Sequence, residues 1–233
     1  MLRLYQFANA WGLQPSPFCL KLATWLRMAG VPYEPVTTMA LGRAPKGKLP
    51  YVVTDAGETI ADSGLIIEHL TASGAAAVDD GLSPVERATA LAFTRLLEDH
   101  LYFIGVWFRW VDEDGWAASR PAFFGRLKAP LRLLVPPLLR RGTTRQLRSQ
   151  GTGRFTADQL IALARADFGA LAAQLGDRPF LLGDTPRTVD ASAYGVLANI
   201  LFPPVDTRLQ RCLADYPTLA AYCQRLRALY WAD

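Results

Sequence analysis

Ser16 is the first residue whose type and setting suggest chemistry. It precedes Pro17, Phe18 and Cys19. A serine followed by proline reads as a helix N-cap with proline at the first helical position. Its hydroxyl therefore stands at the mouth of a helix, where free amides and the helix dipole favour negative charge. Such a hydroxyl can donate to a thiolate, the reactive form of a thiol. Each unit by which the thiol pKa falls is worth about 1.4 kcal/mol in favour of the anion. The same hydroxyl can serve simply as a cap, and the two roles are compatible. Cys19 lies one helical turn on. A Cys-x-x-Cys turn would support a two-thiol cycle, but its first position here is serine, so that cycle is unavailable. Cys19 reads as a small buried apolar residue, with a monothiol role as its rival. Tyr5, in the middle of a strand, is a third candidate partner for a thiolate.

A second pair, Asp62-Ser63, opens another helix. Exposed amides and the Ser63 hydroxyl suit a carboxylate there, and Asp62 suits an amino group. A plain N-cap is the bland alternative. Leu49-Pro50 begins a strand just after Lys48, which is either a carboxylate partner or a solvated surface cation. Three scattered cysteines (Cys19, Cys212, Cys223) and two histidines (His69, His100) exclude a disulfide framework, a four-ligand zinc site and any site of three imidazoles. No metal is expected, and the cysteine usage fits a reducing, cytoplasmic setting.

The elements that position these residues fall into two halves. Residues 2–7 read as a strand, and the Ser16-Pro17 helix carries Phe18, Leu22, Trp25, Leu26 and Ala29 at helical spacing until Gly30 and Pro32 stop it. Strands follow at 33–37, 49–53 and 59–61, the last two joined by the turn Asp55-Ala56-Gly57-Glu58. A strand–helix–strand unit predicts parallel pairing, and the hairpin adds antiparallel strands. The expected fold is an α/β thioredoxin-like domain over 1–73. After the small, polar stretch 73–83, Ser83 and Glu86 form a capping box. Helices are expected over 84–112, 156–175, 190–201 and 217–230, giving an all-α domain over 83–233. The 233 residues, 51% apolar, supply enough core for both halves.

Charge is uneven. Of the 25 basic residues in a chain of net charge +4, nine lie between Gly115 and Ala157, a stretch without an acid. Leucines and four prolines accompany them. The block reads as a solvated face around buried leucines, as a surface for anionic lipid, or as an anion site. Nucleic acid is not expected, because the overall charge is modest and no aromatic–basic RNA motif is present. No run of 18 apolar residues predicts a membrane span, and the N-terminal apolar run is too short for a signal peptide.

In this order, Ser16-Pro17-Phe18-Cys19, Gly47-Lys48-Leu49-Pro50, Asp62-Ser63 and Gly183-Asp184 through Asp190 resemble the landmarks of cytosolic glutathione S-transferases. The wording SPFCLKL, APKGKLPY, RSQGTGR and LLGDTPRTVDASAYG is most similar to the branch of the failed-axon-connections proteins and, more distantly, the metaxins. The resemblance implies a homodimer that binds glutathione as co-substrate. A cis Leu49-Pro50 bond would present the Leu49 backbone to the peptide, Asp62 and Ser63 would hold its γ-glutamyl end, and Lys48 would reach its glycine carboxylate. Ser16 would stabilise the thiolate for attack on a small apolar electrophile. Tyr102, Phe103, Trp107 and Trp110 are candidates to line that electrophile's pocket.

Two alternatives stay open: a non-catalytic, metaxin-like adaptor working through 115–157, and a redox protein using Cys19 alone to form a mixed disulfide with glutathione. Asp190 is expected to cap its helix within an imperfect box, because Arg187 stands where the family pattern has Ser or Thr. The 13 residues between Thr37 and Tyr51 are short for a full helix.

Overall fold

The computed structural model describes residues 1–232. Its N-terminal half is a four-stranded sheet of order β2-β1-β3-β4, from β1 (Leu2–Gln6), β2 (Tyr33–Thr37), β3 (Tyr51–Val53) and β4 (Thr59–Ala61). β1 runs parallel to β2 and antiparallel to β3, and β3 is antiparallel to β4. Helix α1 (Pro17–Met28) makes the crossover between β1 and β2, and α2 (Ser63–Ala72) follows β4. Alternation sends Leu2, Leu4 and Val52 to one face, where they pack with Leu22, Trp25, Leu26, Ile66 and Leu70. Only a short 3₁₀ turn, Leu41–Arg43, lies between β2 and β3, so no full helix covers that connection.

The C-terminal half is helical. α3 (Pro84–Arg95) starts at Ser83, whose Oγ and backbone amide exchange hydrogen bonds with Glu86. It runs through a widened π segment, Leu96–Leu101, into α4 (Tyr102–Trp110), so the helix expected over 84–112 is continuous to Trp110 with a change of pitch at its centre. α5 (Glu113–Phe124) and α6 (Leu131–Gln150) follow, then α7 (Ala157–Leu175), α8 (Thr188–Leu201), α9 (Arg208–Ala214) and α10 (Pro217–Tyr230). Their core gathers Leu97, Leu101, Ile104, Phe168, Tyr194, Leu197 and Tyr222. Thr156 caps α7 and Asp190 lies inside α8, two residues after its start.

α6 was not legible as a helix, because Pro136 and Pro137 lie inside it and proline removes a ladder bond. Tertiary contacts compensate. Arg140, from the middle of α6, donates to the carbonyls of Trp110 and Val111 at the end of α4, both at 2.8 Å, and pairs with Glu113 at 2.7 Å. The expectation of buried leucines in this block is overturned: Leu131, Leu133, Leu134, Leu138 and Leu139 are all exposed. Among the described residues no other element covers these five side chains.

The halves meet along α1 and α8. Gly195 permits the close approach, since a Cβ there would stand 2.5 Å from the Pro17 carbonyl oxygen. Lys21 and Glu98 form a nearly dry ion pair across the seam at 2.6 Å, and Ser192 also donates to Glu98, at 2.7 Å. The Trp25 indole donates to Thr188 Oγ1 at 2.9 Å. The 73–83 connection is tied down by Arg187, which donates to the carbonyls of Val78 and Asp80.

Candidate active site

Strand register brings the sequence-selected residues to one end of the sheet. Tyr5 pairs with Tyr51, and Tyr51 with Ala61. The next row outward therefore holds Gln6, Pro50 and Asp62, and the Asp62 amide donates to the Pro50 carbonyl at 3.4 Å. The Leu49-Pro50 bond is cis. Among the described residues no other backbone group engages the amide or carbonyl of Leu49. Gln6 Oε1 is buried at this edge without a partner among the described residues.

Two helices open onto this row. At α2, Asp62 is the N-cap: its Oδ1 accepts from Gly64 at 2.9 Å and from Leu65 at 3.3 Å. Its φ of 87° is left-handed, rare for a non-glycine residue. The side-chain cap and the bond to Pro50 hold it there. Ser63 is only 3% exposed, and its Oγ has no hydrogen-bond partner among the described residues. Lys48 is exposed beside Leu49.

At α1, Ser16 is the N-cap, and its Oγ accepts from the Cys19 amide at 3.4 Å. That bond uses an oxygen lone pair and leaves the hydroxyl proton available, so the cap does not consume the donor. The Ser16 amide donates to Gln14 Oε1 at 3.4 Å, and Gln14 Nε2 donates to the Phe7 carbonyl at 2.8 Å. Gln14 thus ties the mouth of α1 to the end of β1. The intervening loop turns at Trp11 and Gly12, both left-handed with φ of 55° and 72°, between the paired residues Ala10 and Leu13. The Trp11 ring rests against Phe123 of α5 at 5.2 Å.

Below the loop, Arg109 of α4 donates to the Pro15 carbonyl at 2.7 Å and to the backbone and side-chain oxygens of Asn199 at 2.7 and 3.1 Å. Asn199 in turn donates to the Gln14 carbonyl at 3.1 Å. Arg109 is held by these carbonyl oxygens, and burial pulls its guanidinium down to about 10. It remains charged at neutral pH and places a cation one residue from Ser16. Sequence reasoning missed Gln14, Arg109 and Asn199, because they are ordinary residues until the fold joins positions some ninety apart.

The rivals of Ser16 fare differently. Cys19 is buried, and burial pushes its thiol up to about 11, against weaker opposing hydrogen bonds from Ser16 and Phe7. It is an apolar residue of the first turn and not a poised nucleophile. Tyr5 stacks on Tyr51, with ring centroids 4.3 Å apart, on the sheet face opposite Leu4 and α1. Among the aromatic candidates, Tyr102 meets Phe18 edge-on at 4.8 Å, beside the α1 mouth, with Phe103 packed against it. Trp110 joins Trp116 and Phe123 further out, whereas Trp107 packs on the helical core.

Asp190 caps as expected but more elaborately. Its carboxylate accepts from the amides of Arg187 and Leu181 and from the Tyr222 hydroxyl at 2.7, 3.0 and 2.6 Å. Burial, the largest influence, raises its pKa. Arg187 supplies its backbone amide to the box where a serine would add a side-chain bond.

A family model described as the glutathione S-transferase N-terminal domain matches residues 17–115, and one described as the C-terminal domain matches residues 164–226. The chain is 34% identical over 237 residues to an isoprene-epoxide–glutathione S-transferase of Rhodococcus sp. (strain AD45), covering 99% of each chain. It is 31% identical over 259 residues to Failed axon connections of Drosophila melanogaster, covering all of this chain and 59% of that protein. Metaxin-1 of Macaca fascicularis is 28% identical across 99% of this chain and 75% of its own length. In fold, the chain resembles a glutathione S-transferase from Rhodospirillum rubrum F11 with a TM-score of 0.62, covering 98% of this chain and 88% of that one at 21% identity. The chain belongs to the glutathione S-transferase family, with relatives in its failed-axon-connections and metaxin branch.

Proposed function

We propose that the protein is a glutathione transferase that joins glutathione to a small apolar electrophile, with Ser16 stabilising the thiolate. Leu49 and Pro50 receive the peptide backbone, Asp62 and Ser63 receive the γ-glutamyl group, and Lys48 approaches the glycine carboxylate. The observation that carries the reading is the convergence of two helix N-termini, capped by Ser16 and Asp62, on one sheet end. Each end keeps one amide without a partner among the described residues, Phe18 at α1 and Ser63 at α2, and offers positive potential to an anionic tripeptide. The orphan Ser63 hydroxyl and the unused Ser16 proton are donors that a bound ligand satisfies.

Chemistry then follows from charge. The Ser16 hydroxyl, the α1 amides and the Arg109 cation all favour sulfur in its anionic form. The thiolate attacks an electrophilic carbon and a carbon–sulfur bond forms. With an epoxide the ring carbon–oxygen bond breaks, and the alkoxide takes a proton from water. Tyr102, Phe18 and Phe103 supply apolar walls beside the sulfur. The Rhodococcus relative is named for an isoprene epoxide, so a small apolar epoxide is the electrophile to try first. A homodimer in the cytoplasm is the setting proposed for this activity.

The test is a calorimetric titration with glutathione, followed by a conjugation assay with a small epoxide. Saturable binding that weakens in Ser63→Ala, together with product formation, is the expected result. Absence of binding at millimolar glutathione would leave a transferase fold put to another use.

A further inference from the structure

The outward side of α6 carries a single stripe whose two ends differ in chemistry. Leu131, Leu134, Leu138, Arg141, Arg145 and Arg148 follow at intervals of three and four, so they lie in one row along the helix. The three leucines are 55%, 63% and 69% exposed. The opposite side of the helix is the buried one, at Pro136 and Leu147. The three arginines line an open cleft of about 1020 Å³ with Arg140, Arg154 and Thr144. Arg140 is paired with Glu113. Among the described residues no carboxylate pairs with Arg141, Arg145 or Arg148.

We propose that α6 docks the protein on the surface of an anionic phospholipid bilayer, the leucine end entering the acyl boundary and the arginine end holding lipid phosphates. This goes beyond the glutathione site and does not depend on it.

Two observations select this occupant. First, the leucines stand outside the arginine-lined cleft, and each is more than half exposed. A fluid apolar phase accepts such a ridge without shape matching, and an interfacial helix buries its apolar side about 5–10 Å deep. Second, the stretch from 115 to 157 holds nine cations and no anion. A second copy docked through a two-fold axis would bring two such cationic stretches together with no anion from either to offset them. A bilayer rich in anionic headgroups offers the opposite charge. No helix among the described residues is long and apolar enough to cross a membrane, so the contact is peripheral.

The experiment is co-sedimentation of the whole chain with phosphatidylcholine vesicles, with and without phosphatidylglycerol, at low and high salt. Pelleting is expected only on the anionic vesicles and is expected to fade at high salt. The triple variant R141E/R145E/R148E should lower partitioning a hundred-fold or more, at about five-fold per arginine lost near the surface. The triple variant L131S/L134S/L138S should lower it at least about ten-fold, and its thermal unfolding should be unchanged because the leucines are exposed. If the leucine variant fails to fold, the charge-reversal variant alone decides.

Four results would overturn the proposal. They are equal pelleting on neutral vesicles, no pelleting on anionic vesicles at low salt, unchanged pelleting of either folded variant, and tight calorimetric binding of inorganic pyrophosphate without vesicle binding. Sedimentation equilibrium adds a fifth. A dimer that the leucine variant splits would mean that a second copy covers the ridge.

Discussion

The guanidinium of Arg109 donates to the carbonyl of Pro15 at 2.7 Å, joining α4 to the residue before Ser16 across 94 positions of sequence. The same side chain reaches Asn199, which holds the Gln14 carbonyl. One buried cation therefore supports the loop that carries the Ser16 hydroxyl, and adds positive potential beneath it.

Arg109→Met is expected to lower kcat for conjugation by about ten- to a hundred-fold, the scale of an ångström-sized misplacement near the reacting atoms. A purely structural role would not move the thiol pKa of bound glutathione. Loss of the cation should raise it, as read by ultraviolet absorbance of the thiolate. Arg109→Lys should recover the pKa better than the rate, because an ammonium lacks the fork that serves Pro15 and Asn199 together. A folded Arg109→Met variant with wild-type rate and pKa would remove Arg109 from this role.

Ser16→Ala separates two functions of one hydroxyl. Loss of the cap should cost about 1 kcal/mol of stability, read from urea unfolding. Loss of a positioned donor to the thiolate should cost a further ten- to a thousand-fold in conjugation rate. If unfolding shifts and the rate does not, Ser16 caps α1 and does nothing more.

At Gly195, an added methyl has nowhere to go: it meets the Pro17 carbonyl oxygen at 2.5 Å and the Lys21 Cβ at 3.1 Å. Gly195→Ala should push α1 from α8 and lower stability by about 1–3 kcal/mol. It should also weaken glutathione binding, since α1 carries Ser16. Full stability by denaturant titration would mean that the seam yields without strain.

Alkaline pH should destabilise the fold. Burial raises the thiols of Cys19, Cys212 and Cys223 and the phenols of Tyr194 and Tyr222 above their ordinary values, Cys19 from 9.0 to about 11. In the unfolded chain these groups lose protons at their ordinary values, so above about pH 9 the unfolded state binds fewer protons than the native one. Stability then falls as pH rises. Urea midpoints should be flat from pH 7 to about 9 and decline above it, and alkylation of Cys19 should stay slow through the same range. Rapid alkylation of Cys19 at neutral pH in the folded protein would contradict the burial and reopen a monothiol role.

Much of this was written locally. Ser16-Pro17, Asp62-Ser63 and Ser83 with Glu86 each specify a helix start within a few residues, because capping is chemistry between near neighbours. Strands and turns in the first 61 residues were readable from alternation and turn residues, and the charge block was visible by inspection.

Other features arose only when distant segments met. The Arg109–Asn199–Gln14 network joins three ordinary polar residues from separate elements. Helix α6 persists through two prolines because Arg140 is anchored to the end of α4. Whether the leucines of α6 are core or surface could not be read from their spacing: periodicity says which residues share a face, and burial depends on whether another element covers it. Here the fold leaves the Leu131, Leu134 and Leu138 face bare, and it leaves Gln6 Oε1 buried without a partner among the described residues at the end of the sheet.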